Sequence, residues 1–145
     1  MALDDIDFKI LHELQLNSRL TNKELAARIH LSATPTFERH RRLERLGIIK
    51  GYTTILDASK LNRGFTVFCQ IGFKQINQTY ADLFRQQVQQ WPQVAECYNI
   101  SGDSDFMMKV AVKDMSEYQE FLLNKLGALE YISTIRSTFV MDTLK

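Results

Sequence analysis

The chain has 145 residues, of which 45% are hydrophobic and 24% charged, with a formal net charge of +1. That length suits one ordinary domain or two small ones, and the composition is that of a packed globular chain. No apolar run approaches the roughly 20 residues of a membrane span, and the acidic start MALDDIDFK lacks a basic-then-apolar leader pattern, so a cytoplasmic protein is expected.

In chain order, Leu3, Ile6, Ile10 and Leu14 recur at three- and four-residue steps and predict an amphipathic helix ending near Leu16. Asp4 is placed to cap it, and Asp5 and Asp7 suit the positive end of its dipole. Thr21-Asn22-Lys23-Glu24 is a capping box, and it opens a short helix that buries Leu25, Ala26 and Ile29 and ends near His30. Ser32 is a fitting N-cap for a third helix, which carries Pro35 in its first turn, where the missing N–H is tolerated. Gly47 can end that helix in a left-handed conformation.

Helix, short turn and helix behind a supporting helix is the helix-turn-helix layout. Between residues 28 and 50, Arg28, Arg39, Arg41, Arg42, Arg45 and Lys50 stand against Glu38 and Glu44, on a chain that is nearly neutral as a whole. Such a local patch points to a polyanion that meets one part of the surface. Thr36, His40, Leu43 and Gly47 fall on one line of the third helix and are expected to face inward. Ser32, Thr34, Phe37, Glu38, Arg41, Arg42 and Arg45 are the candidate DNA-facing residues. The three arginines are expected mainly on phosphates, and the start of the helix in the major groove of double-stranded DNA. Two readings stay open for Phe37, packing against the second helix or touching a base. Glu38 either accepts from cytosine N4 or, the preferred reading, pairs with Arg41 or Arg42. His40 is expected to be partly buried and hydrogen-bonded to a neighbour.

Thr53-Thr54-Ile55-Leu56 is β-branched and predicts a strand. The polar stretch 57–64 marks a boundary, giving a winged-type helix-turn-helix domain with a hinge strand over 1–60 and a second domain over 61–145. Beyond it, Phe65, Val67, Cys69, Ile71 and Phe73 alternate as a strand with one buried face. Asn77 caps a helix closed by Pro92. Val94–Ile100 and Phe106–Val112 are strands around the turn Ser101-Gly102-Asp103-Ser104-Asp105. Met115, Tyr118, Leu122 and Leu126 stripe a helix, and Ile132–Met141 is a last strand. The order βαββαβ predicts a ferredoxin-like second domain, so the fold class is α+β. The sheet face carrying Phe68 is expected to be apolar and to be covered in a homodimer. Cys69 and Cys97 sit singly in strands and read as free thiols. All three histidines lie in the helical half, and there is no nucleophile motif, P-loop or dinucleotide fingerprint. No enzyme, cofactor or metal is therefore expected.

The chain resembles the Lrp/AsnC, or feast/famine, family of transcription regulators from end to end. The resemblance rests on Asp7 with Ile10-Leu11, on Leu31-Ser32 followed by Arg39 and Arg42-Leu43-Glu44, and on Gly47-Ile48-Ile49-Lys50-Gly51-Tyr52. Glu96-Cys97-Tyr98 and Gly102-Asp103-Ser104-Asp105-Phe106 complete it. It implies homodimers that assemble to octamers or other multiples, and a small-molecule effector, an amino acid, bound between subunits. By that match Tyr98, Ser101, Gly102, Asp103, Ser104, Asp105, Thr134 and Arg136 are the effector candidates. A zwitterion would find its carboxylate partner in the turn's N–H groups or Arg136, and its ammonium partner in Asp103 or Asp105. The same Gly-Asp-Ser-Asp residues also make a good hairpin turn. The function expected is sequence-specific, effector-responsive regulation. The alternative is an architectural DNA-binding protein with little sequence preference and no effector.

Overall fold

A computed structural model describes residues 2–144, in two compact units that divide between Ile55 and Leu56. The division falls just before the polar stretch read as a boundary.

The first unit holds α1 (Asp5–Leu16), α2 (Asn22–Arg28) and α3 (Ala33–Arg45). Two of this unit's three predicted N-caps form. Asp4 accepts from the N–H of Asp7 at 2.9 Å while Asp7 accepts from the N–H of Asp4 at 3.1 Å. Thr21 and Glu24 make the same exchange at 2.7 and 3.3 Å. Each satisfies N–H groups that a helix start leaves without partners, which fixes where α1 and α2 begin. Ser32 departs from its expected role: it sits extended before α3 but makes no side-chain cap bond. Instead Thr36 donates to its carbonyl at 2.9 Å, and Asn22 donates to Ala33 O at 2.8 Å. His30 takes the tight turn between α2 and α3 with φ 56°. Gly47, at φ 69°, ends α3 with the bonds Gly47 N–H to Glu44 O and Ile48 N–H to Leu43 O, a Schellman motif. Ile10, Leu14, Leu25, Ile29 and Leu43 form the core of this unit.

The predicted strand over residues 53–56 is not one. Residues 51–57 have no regular structure, and Ile55 is 95% exposed. A β-branched run becomes a strand only with a ladder partner, and none of the described residues supplies one.

The second unit follows the predicted order, with β1 (Phe65–Phe73), α4 (Gln78–Gln89), β2 (Val94–Asn99), β3 (Phe106–Val112), α5 (Met115–Phe121) and β4 (Ile132–Phe139). After α5 the chain continues through a π-helical segment, Leu122–Leu126. The antiparallel sheet has the order β2-β3-β1-β4. Period-two alternation puts Val67, Cys69, Ile71 and Phe73 on the same face as Phe106, Met108, Val110 and Val112. Phe84 and Trp91, with Tyr118, Phe121 and Leu126, complete that core. Each such buried side chain contributes about 1.5–3 kcal/mol. Phe84 packs against Phe73 and Phe106 with ring centroids 5.5 and 4.8 Å apart.

The opposite face is mixed rather than apolar. Phe68 is 37% exposed there, but it shares the face with Gln70 opposite Arg136 and with Glu96 paired to Lys109 at 3.1 Å. Both cysteines are free; Cys69 is buried and Cys97 half-buried, and burial raises the Cys97 thiol to about 11.

Candidate nucleic-acid interface and effector region

α3 carries its arginines on two different sides. Arg39 Nη1 lies 2.7 Å from Asp4 Oδ2 and 2.9 Å from Asp7 Oδ1, and Arg42 Nη2 lies 2.5 Å from Asp7 Oδ2. Asp7 is wholly buried. A carboxylate out of water needs its charge matched and its lone pairs filled; two guanidinium groups and the Asp4 N–H do both. Arg42, expected on phosphate, is therefore turned inward to α1, with its Nε buried and without a hydrogen-bond partner.

Arg41 and Arg45 remain. Both are exposed and make no ion pair among the described residues, as is also true of Lys50. Arg28 is bound to Glu13 at 3.0 Å. Phe37 is 47% exposed, and the Arg41 guanidinium lies over its ring, 5.5 Å from the centroid. The preferred pairing of Glu38 with Arg41 or Arg42 is also absent, because Arg42 belongs to Asp7 and Arg41 to Phe37. Glu38 stands exposed with no ion pair among the described residues. Ser32 and Thr34 are exposed at the start of the same surface.

Thr36 and Leu43 are fully buried, as the inward line required. His40 is partly buried and bonded as expected: its Nε2 lies 2.6 Å from Tyr52 Oη, and Tyr52 donates on to Glu44 Oε1 at 2.9 Å. Tyr52 stands on the chain leaving the first unit, so this bond ties that exit to the recognition helix. Desolvation, and then the Glu44 carboxylate, push the Tyr52 phenol up to about 12.

The effector candidates are divided by the sheet. Ser101, Gly102 (φ 121°) and Asp103 are exposed on the β2–β3 turn, and Ser104 is buried. Asp105 holds the turn: Phe73 N–H donates to its Oδ2 at 2.7 Å, and its own N–H donates to Ile71 O at 2.8 Å. Tyr98, on the edge strand β2, donates to Glu96. Thr134 lies opposite Gly72, where any Cβ would collide with Thr134 Oγ1. Arg136 is exposed on the other edge strand, β4. With strands about 4.8 Å apart, the two edges lie roughly 14 Å from each other, and Tyr98 and Arg136 stand on strands at opposite edges of the sheet. Two cavities lie elsewhere. One of 430 Å³ runs along α1 and α2 at Phe8, His12 and His30, and one of 220 Å³ lies at Phe84, Cys97 and Phe106. None of the effector candidates lines either.

A helix-turn-helix with an open cationic face, followed in sequence by a βαββαβ unit, is the build of a DNA-binding regulator. Residues 3–50 match the winged helix-turn-helix DNA-binding domain and residues 66–145 the Lrp/AsnC ligand binding domain. The chain is 38% identical over 145 residues to the leucine-responsive regulatory protein of Rhizobium meliloti (strain 1021), an alignment spanning 100% of this chain and 93% of that one. With the leucine-responsive regulatory protein of Escherichia coli (strain K12) it shares 41% over 146 residues, spanning 99% and 87%. A transcriptional regulator of Neisseria meningitidis, solved in complex with L-methionine, superposes with a TM-score of 0.93 at 33% identity, over 99% of this chain and 93% of that one. The chain belongs to the Lrp/AsnC family of transcriptional regulators. The family consists of DNA-binding regulators, not enzymes, and no helix among the described residues is long and apolar enough to cross a membrane.

Proposed function

We propose that this chain is a sequence-specific regulator whose grip on its operator responds to an amino acid. The observation that carries the DNA reading is the outer face of α3, where Ser32, Thr34, Phe37, Glu38, Arg41 and Arg45 stand open while Arg39 and Arg42 are neutralised inside. A face meant only to follow phosphates would carry more cations and no unpaired carboxylate. Glu38 repels phosphate and suits a cytosine N4 donor, which favours base reading over the architectural alternative. Arg45 reaches phosphate. Homodimers, assembling further, place two α3 helices on a roughly palindromic site with half-sites a helical turn or a multiple apart. The exposed Ile55, Leu56 and Phe68 are surface that such assembly would cover.

The effector reading is supported by the ligand-binding family of the second unit and by relatives that are leucine-responsive or bound to L-methionine. Ser101, Gly102, Asp103 and Thr134 contribute to the pocket from one protomer. Tyr98 and Arg136, on opposite edges, contribute to pockets completed by a second copy. Asp103 is the ammonium partner, because Asp105 is engaged with β1. A thermal-shift screen of the twenty amino acids tests this, since a ligand bound only to the folded state raises its apparent stability. One or a few hydrophobic amino acids are expected to raise the melting temperature, and a flat response to all twenty sinks the effector reading. For the DNA reading, excess random duplex should displace the protein from its operator only far above stoichiometry; displacement at equal amounts means the architectural role.

A further inference from the structure

Resting on the sequence-specific reading above, we propose that Phe37 and Arg41 act as one reading unit for a guanine with a thymine beside it on the same strand. The two stand four residues apart on α3, so their side chains lie on one exposed line. The Arg41 guanidinium sits over the Phe37 ring, 5.5 Å from its centroid. Arg41 forms no ion pair among the described residues, so its N–H donors are open, whereas Arg39 and Arg42 spend theirs on Asp4 and Asp7. The cation–π contact also narrows the orientations of a long side chain that otherwise turns freely.

A phosphate gains little from that restraint, because any donor direction serves it. The O6 and N7 acceptors of guanine need two parallel N–H bonds in the plane of the base. When Arg41 makes them, the ring 5.5 Å away is carried to the neighbouring base position. A phenyl ring has nothing to offer the acceptors or amino groups there. The one apolar group that bases show in the major groove is the thymine 5-methyl. Phe37, 47% exposed, is available for it.

The test uses the full chain. Duplexes are selected from a random library, and affinity is then measured on the enriched site with 7-deazaguanine replacing the guanine, which removes N7, or with deoxyuridine replacing the thymine, which removes the methyl. The enriched site is expected to contain the guanine–thymine step. Deazaguanine should weaken wild-type binding about 5- to 150-fold, the range of a bidentate base contact, and deoxyuridine by a smaller factor. The deazaguanine effect should vanish in Arg41→Ala and the deoxyuridine effect in Phe37→Ala. Both positions are exposed, so neither change threatens folding. An enriched site without that step, or base-analogue effects that persist in the variants, overturns the inference and leaves the sequence-specific reading standing. Selection that enriches no sequence at all overturns both.

Discussion

Arg39 and Arg42 share a helix and a chemistry with Arg41 and Arg45, yet the two pairs do opposite jobs. The inner pair exists for Asp7. It neutralises a buried carboxylate and so fixes α3 against α1. The outer pair has no acid to answer to among the described residues and stands open to solvent. Counting positive charge along a sequence therefore overstates what is offered to DNA. What decides is whether a carboxylate elsewhere in the chain has already claimed each guanidinium.

The largest expected effect breaks the inner pair. Asp7→Ala leaves two guanidinium groups facing a buried hole and should destabilise the first unit by about 3–5 kcal/mol. Urea unfolding followed by circular dichroism measures it, and a loss below about 1 kcal/mol would mean that Asp7 does not organise this unit. Arg42→Ala should be milder, about 1–3 kcal/mol, because Arg39 still serves Asp7. The salt dependence of DNA binding should not change. Arg45→Ala should do the reverse. Stability should stay within about 0.5 kcal/mol, while the slope of log affinity against log salt should fall by about 0.9 for one lost phosphate contact. Exchanged outcomes for Arg42 and Arg45 would invert the assignment of inside and outside.

The smallest effects are those of pH. The Asp7 N–H, then the Arg39 guanidinium, hold the Asp4 carboxyl below its ordinary range. Its stabilising contribution is thus present above the unfolded value of about 4 and is lost as pH falls through the lower folded value. Asp4→Asn should flatten that acid limb of the stability curve. Tyr52 works at the other end. Its folded value, raised to about 12, makes its contribution complete below about pH 10 and lost as pH climbs through the folded value. Tyr52→Phe should remove that alkaline loss, as equilibrium unfolding between pH 9 and pH 12 would reveal.

What could be read from the sequence was mostly local. The Asp4 cap, the Thr21–Glu24 capping box, the glycine that ends α3 and the alternation of β1 and β3 are short patterns whose physics closes within a few residues. The Asp7 network is not local, because Arg39 and Arg42 lie more than thirty residues from Asp7 along the chain. One signal was available. At about 100° per residue, Arg39 falls about 60° from Thr36 and about 40° from Leu43, at the border of the inward side of α3, and a cation placed there calls for an acid. Arg42 lies at the flank, where phase alone does not decide. Phe37 lies about 120° around α3 from Leu43, a position where phase alone chooses neither packing nor a base contact. The run from Thr53 to Leu56 was misread because propensity does not supply a partner strand. In the effector region, candidates could be named but not their separation: strand order, which puts β2 and β4 on opposite edges, follows from long-range pairing.

The bond between His40 and Tyr52 has a consequence at the level of single hydrogens. Tyr52 has one hydroxyl hydrogen, and it is given to Glu44. The hydrogen in the short contact with His40 then comes from Nε2 rather than from the phenol. Nitrogen chemical shifts of this one ring would register whether the exit from the recognition helix is latched, and would do so in free and DNA-bound protein alike.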